Sequence, residues 1–177
     1  MSDRTTGTAH GGSADLRPDG SAIGEPAVGE PASGKPASGE PVLEELDEAE
    51  CLRLISPGGL GRLAYSGRFG LTVLPVNYQL YEGSIVFRTT RNSPTDEDLR
   101  TGIEGAEYKV TFEIDQIDLA AREGWSVLLQ GAAHHVDSAT ERAAVLEAGV
   151  EPWAGGVREL FLRILPDRIT GRRIRRS

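Results

Sequence analysis

The stretch that most constrains the fold is Leu71–Thr90, LTVLPVNYQLYEGSIVFRTT. Two runs rich in β-branched and aromatic residues meet at Glu82-Gly83, where a tight hairpin turn needs residues that tolerate positive φ. The pattern predicts one strand over Leu71–Leu80 and another over Ser84–Thr90. Val73-Leu74-Pro75-Val76 is apolar on both faces, which suits a central strand covered on both sides. Proline lacks the N–H that a ladder uses, so Pro75 is expected at a bulge or facing a ligand.

The period of two recurs along the chain. It predicts strands over Gly61–Tyr65, Tyr108–Ile114, Trp125–Val136 and Leu160–Ile174, the last bent at Pro166-Asp167. Ser66–Gly70 reads as a turn, and Asp115–Glu123 and Gly149–Gly156 as loops. Helical spacing is sparse. Leu46, Cys51, Leu54 and Ile55 form one short apolar face, with Asp47 as N-cap, Glu50 completing a capping box and Pro57-Gly58-Gly59 as the stop. Weak helices are expected over Pro94–Gly105 and Ser138–Ala148. Cys51 lies near the first helix's apolar face and reads as a buried, inert thiol. Six strands with short helices at the crossings predict a mainly β, six-stranded barrel rather than a parallel, doubly wound sheet.

Residues 1–41 hold few large apolar side chains, and Gly24–Pro41 repeats as GEPAV, GEPAS, GKPAS, GEP. Glycine and proline at that density cannot offset the entropy of ordering, so 1–41 is expected to be a disordered tail and 42–177 the folded domain. The net charge of -8 argues against nonspecific binding to nucleic acid or to an anionic membrane. One cysteine excludes an intrachain disulfide, and a reducing, cytoplasmic setting is expected. The N-terminus has no apolar h-region, and no apolar run is long enough to span a bilayer.

Gly59-Leu60-Gly61-Arg62-Leu63-Ala64 matches the dinucleotide-binding glycine pattern, but it follows a helix and opens a strand, the reverse of the required order. His134 and His135 are adjacent on a strand, point to opposite faces and cannot share one metal; a surface position is expected for them. Asp96-Glu97-Asp98 and Asp115…Asp118 read as solvated acids, so no metal site is expected. Neither a Ser-His-Asp nor a Cys-His arrangement is present. Arg168, Arg172, Arg173, Arg175 and Arg176 form a C-terminal basic patch suited to phosphate, flavin or acidic side chains.

Gly61-Arg62-Leu63-Ala64, Leu74-Pro75-Val76-Asn77-Tyr78, Phe87-Arg88-Thr89-Thr90, Phe112-Glu113-Ile114-Asp115, Gly124-Trp125-Ser126-Val127 and Ile169-Thr170-Gly171-Arg172-Arg173-Ile174 together resemble the pyridoxamine 5'-phosphate oxidase-like flavoproteins. The likeness is strongest to their actinobacterial branch, grouped with nitroimidazole-resistance reductases, and runs from about Leu46 to Ile174. It implies an antiparallel split β-barrel of the FMN-binding type and a homodimer with flavin sites at the subunit interface. Leu74, Pro75, Val76 and Asn77 would then run along the isoalloxazine edge. Arg88, Thr89, Thr90, Arg91 and Ser93 would lead to the phosphate. Trp125 and Ser126 would come from the second subunit, and Arg172 would approach from the last strand. Many relatives have a glycine-serine-lysine step after the FRT segment; here Asn92-Ser93-Pro94 stands instead, followed by the acidic 96–98 run. The resemblance implies an FMN-dependent oxidoreductase acting on a small organic substrate, its catalytic residues unassigned because the cofactor carries the hydride chemistry. The alternatives are a non-catalytic module holding a flavin, the deazaflavin F420 or haem, and, last, a true pyridoxamine phosphate oxidase.

Overall fold

A computed structural model describes residues 39–100, 107–147, 149–153 and 155–176. Residues 1–38, and with them nearly all of the expected tail, lie outside the described residues, as do 101–105 at the end of the second expected helix. The elements are β1 (Pro41–Leu46), α1 (Glu48–Ile55), β2 (Gly59–Gly67), β3 (Gly70–Tyr81), β4 (Ser84–Thr89), α2 (Pro94–Asp98), β5 (Tyr108–Asp118), β6 (Glu123–His135), α3 (Ala139–Glu147) and β7 (Leu160–Arg176).

The strands hydrogen-bond in the order β1-β7-β4-β3-β2-β5-β6, and β6 also pairs with β7. That last pairing closes six antiparallel strands into the expected barrel. Its closure depends on β7. One edge of this long strand pairs with β4 over Leu160–Ile164 and with β1 over Gly171–Arg176; the other pairs with β6 along most of its length. The register shifts between Gln130 and Gly131, opposite Arg168 and Pro166, so Asp167 is the extra residue of a bulge. The expected bend at Pro166-Asp167 is this bulge.

Alternation places Leu63, Tyr65, Phe87, Phe112, Val127, Leu129, Leu162 and Ile164 in the barrel interior, all nearly inaccessible. α1 adds Cys51 and Ile55 to the same cluster. The Tyr78 hydroxyl donates to the Ile55 carbonyl at 3.0 Å, and burial pushes its pKa up to about 12. Burial likewise raises the Cys51 thiol above its ordinary value, in keeping with an inert cysteine. A second cluster, Val86, Val136, Val145, Val150 and Phe161, lies where α3 and the segment after it cover the outer face of β4 and β7.

Both residues of the Glu82-Gly83 turn take positive φ, 47° and 72°, as a two-residue hairpin requires. At α1, Asp47 Oδ1 accepts the Glu50 N–H at 2.8 Å, forming one half of the capping box. The Glu50 carboxylate turns instead to Arg53 and Arg173, whose hydrogen bonds lower its pKa to about 2. Asp47→Ala is therefore expected to cost about 1 kcal/mol in urea unfolding, with Asp47→Ser restoring most of it.

Strand β1 is the element that local pattern does not announce. Its Glu44 and Glu45 lie opposite Arg173 and Arg172, and Glu44 forms an ion pair with Arg175. A partner more than a hundred residues away supplies what makes this acidic segment a strand. The Asp115–Glu123 loop is likewise shorter than expected, because β5 continues to Asp118 and β6 begins at Glu123.

Candidate functional site

The sheet register divides the Leu74–Asn77 run between two faces. Leu74 lies opposite Leu63 and Val76 opposite Gly61, so their side chains join the core; those of Pro75 and Asn77 point outward. The backbone is more informative. β3 pairs with β2 over Gly70–Tyr78, but with β4 only over Tyr78–Tyr81. Among the described residues, no strand is paired with the far edge of β3 from Gly70 to Asn77. Counting back from the hairpin closures Tyr81↔Ser84 and Gly67↔Gly70, the backbone groups of Val73, Pro75 and Asn77 face that open edge. Pro75 thus sits where its missing N–H leaves no ladder bond unmade.

Across the split from this edge lies the end of β4. Arg88 Nε donates to the Arg158 carbonyl at 2.6 Å, and its guanidinium lies 4.9 Å from the Phe161 ring centroid. Among the described residues it has no carboxylate partner. Thr89 and Ser93 share a hydroxyl hydrogen bond of 3.0 Å, and the Thr90 hydroxyl donates to the Val157 carbonyl at 3.2 Å. Arg91 lies 3.6 Å from Glu159. Ser93 also caps α2, accepting the Asp96 N–H at 3.2 Å. Asn77, on the opposite side, donates to the Gly59 carbonyl at 3.4 Å and accepts the Trp153 N–H at 2.9 Å.

Of the acids after Ser93, Glu97 is exposed as expected, whereas Asp96 and Asp98 are withdrawn from solvent. Asp96 is buried, with its side chain 3% exposed, and accepts from the Asn92 N–H at 2.7 Å, from Arg100 at 2.9 Å and from His135 Nε2 across 2.7 Å. Burial alone would raise its pKa; the hydrogen bonds from Asn92, Arg100 and His135 outweigh burial and lower it. Glu97 and Asp98 both bind Arg68 from the β2–β3 turn. Negative charge close in sequence to Ser93 is thereby matched within the chain. His134 and His135 do point apart, but the expected surface position fails for His135, which is buried against Asp96; His134 binds Glu141 on α3.

A carboxylate with a lowered folded pKa stabilises the fold above its unfolded value, near 3.8, and that stability is lost as pH falls through the folded value. Asp96→Asn should therefore flatten the acid limb of a Tm-versus-pH profile below about pH 4, and lower Tm at pH 7. Parallel acid limbs would contradict the assignment.

Trp125, Ser126 and Arg172 lie elsewhere on the barrel. Ser126 faces Arg172 across β6 and β7, and both line a cleft of about 420 Å³ with Glu113 and Thr170. Trp125 packs against the core cluster. The row Pro75–Arg62–Glu113–Leu128 crosses three strand spacings, about 14 Å. One chain therefore brings Asn77 and the 88–93 segment to either side of the split, but not Trp125, Ser126 and Arg172. Of the C-terminal arginines, Arg173 and Arg175 are taken up by Glu50 and Glu44. Sequence reasoning missed Arg68, Trp153 and Glu159; an isolated tryptophan in a glycine-rich loop was the available signal for Trp153.

These features fit an anionic flavin. An open backbone edge on β3 offers ring contacts, and an arginine without a carboxylate partner stands among hydroxyls across the split. The family model for pyridoxamine 5'-phosphate oxidase matches residues 47–173, and the chain belongs to this family. The uncharacterized protein Rv0080 of Mycobacterium tuberculosis is 30% identical over 130 residues, spanning 73% of this chain and 84% of that protein. Among solved structures, an FAD binding protein from Mycobacterium smegmatis is 28% identical, with a TM-score of 0.62 over 75% of this chain and 100% of that one. A conserved protein of unknown function from Corynebacterium diphtheriae is also 28% identical, with a TM-score of 0.57 over 73% and 96% of the two chains. Among the described residues no helix is long and apolar enough to cross a membrane.

Proposed function

We propose that the chain binds a phosphate-bearing flavin, FMN in the simplest case, and serves as an oxidoreductase for a small organic substrate. The observation that carries this reading is Arg88, a cation with no carboxylate partner among the described residues, placed across the split from the unpaired edge of β3. Arg88, Thr90 and Arg91 would hold the phosphate, with Thr89 and Ser93 behind them, and the backbone at Val73, Pro75 and Asn77 would meet the ring edge. When bound, the flavin supplies hydride transfer. The family match and the FAD-binding relative from M. smegmatis support the flavin, the relative's name allowing FAD as well as FMN.

The site is completed by a second copy in this reading. Trp125, Ser126 and Arg172 of one chain cannot serve its own Arg88 group, and a homodimer brings them to it. The outer face of β2 and β3 carries exposed apolar side chains suited to such an interface, including Leu60 at 44%, Val73 at 65% and Leu71 at 90% exposure.

The second reading is a carrier or storage module. It is favoured by the absence, among the described residues, of a free general acid or base at the site: both strand histidines are bound to carboxylates and the cysteine is buried. The same pairing leaves neither strand histidine free as an axial haem ligand. The visible spectrum of the purified protein, with mass identification of the released chromophore, tests for the flavin. Near-stoichiometric flavin bands support binding. Anaerobic bleaching by NADH or NADPH then marks an enzyme, and bands that persist mark a carrier.

A further inference from the structure

The segment between α3 and β7 is tied to the candidate site at four points. The Trp153 N–H donates to Asn77 Oδ1 at 2.9 Å, on the β3 side of the split. On the β4 side, the Val157 carbonyl accepts from Thr90 at 3.2 Å and the Arg158 carbonyl from Arg88 at 2.6 Å. The Glu159 carboxylate lies 3.6 Å from Arg91. From α3, Arg142 holds the Glu159 carbonyl at 2.8 Å. Two carbonyl oxygens and one carboxylate are thus directed at two guanidinium groups and a hydroxyl. A phosphomonoester presents the same chemistry, several negatively charged acceptor oxygens on one centre.

The segment is held by polar bonds more than by burial. Val150 anchors the start of the segment in the second core cluster, but from Trp153 to Glu159 the large apolar side chains are exposed, Trp153 at 74% and Val157 at 76%, and contribute little packing. The Arg91–Glu159 pair is itself exposed, 58% and 36%, and pairs of that kind contribute up to about 1 kcal/mol. Few buried apolar contacts and solvent-accessible hydrogen bonds mark a segment that opens at low free-energy cost.

We infer that the stretch bearing Trp153, Val157, Arg158 and Glu159 is a strap that substitutes for the cofactor's phosphate and is displaced by it. Glu159 stands at Arg91, the Val157 carbonyl at Thr90 and the Arg158 carbonyl at Arg88. A phosphorylated flavin exchanges these oxygens for its own, and the strap, including the Trp153 bond to Asn77, is released. Riboflavin carries no phosphate and has nothing to exchange. The strap is therefore a selectivity device, and Glu159 is its affinity-determining side chain. This inference rests on the flavin reading above and adds to it which flavins are admitted.

Hydrogen exchange on the full chain, read by mass spectrometry over residues 150–159, tests it, with FMN and riboflavin as the probes. Ordinary ligand binding slows exchange around a site. Here FMN is expected to speed exchange in this peptide while riboflavin leaves it unchanged. Glu159→Gln is expected to tighten FMN about two- to fivefold, an effect that shrinks at high salt, without changing riboflavin affinity. FMN that binds while exchange over 150–159 slows or stays the same, with equal affinity in Glu159→Gln, overturns the strap and leaves the flavin reading intact. FMN that binds Glu159→Gln but not the wild type supports the strap. Failure of both proteins to bind any flavin overturns the flavin reading and the strap with it.

Discussion

Arg88→Ala is expected to weaken FMN binding about ten- to a hundredfold, corresponding to about 1.5–3 kcal/mol for a charge-assisted hydrogen bond. Riboflavin affinity should change by no more than about twofold, because the lost charge faces a phosphate that riboflavin lacks. Arg88 is suited to the role because it is placed before any ligand arrives, and its contact with Phe161 does not depend on the strap. Its Nε is held by the Arg158 carbonyl until the strap leaves, its guanidinium lies 4.9 Å from the Phe161 ring centroid, and it projects from β4 opposite that residue. Those contacts also give it a structural share, so the variant's Tm must be measured alongside. Arg88→Lys separates the two contributions. It keeps the charge but loses the planar fork, and should recover only part of the FMN affinity. Equal losses for FMN and riboflavin would show that Arg88 acts through folding. An unchanged FMN affinity would show that the phosphate binds elsewhere.

Gly131→Ala is expected to destabilise the fold by about 3 kcal/mol, among the larger effects of a single added methyl group. Gly131 stands where β6 passes the β7 bulge. A Cβ there would overlap the Leu165 carbonyl oxygen and come within 2.7 Å of Pro166 Cα. Those are backbone atoms of the strand that closes the barrel, so no side chain can rotate aside to make room. Relief would require β7 to move, and with it the pairings to β4 and β6. Gly155→Ala is the control: nothing lies within 4 Å of a Cβ at that position, and a change within about 0.5 kcal/mol is expected. A urea-unfolding free energy for Gly131→Ala within about 1 kcal/mol of the wild type would contradict the described register.

Features governed by local chemistry were legible in the sequence. The 71–90 hairpin followed from period-two alternation and a turn tolerant of positive φ. The cap of α1 followed from Asp47, and the bend in β7 from Pro166-Asp167. Pro75 was legible as a proline that must avoid a ladder, although only the strand pairing shows that it lies on an open edge. Features that depend on partners far along the chain were hidden. β1 looks like the polar end of a glycine-proline repeat until its glutamates meet the arginines of β7. Asp96 and Asp98 look solvated until His135 and Arg68 arrive from two other elements. The strap is the plainest case. Nothing in residues 149–159 taken alone reveals that Asn77, Arg88, Thr90 and Arg91 are its partners.

Pro94, which stands where the family resemblance led a lysine to be expected, gains a physical context from the same contacts. Pro94 opens α2 directly after the Ser93 cap, a position at which its missing N–H costs nothing. The acids that follow are matched by Arg68, Arg100 and His135. In this account Arg88 and Arg91 supply the positive charge for the phosphate.

The central claim is recognition of a flavin through its phosphate. It is tested most directly by equilibrium titration of the flavin-free protein with FMN and with riboflavin, followed by the visible absorption of the bound chromophore. FMN is expected to bind with Kd of about 10 μM or tighter, and riboflavin at least about tenfold more weakly. Equal affinity for the two, or no uptake of FMN at that concentration, would contradict the account.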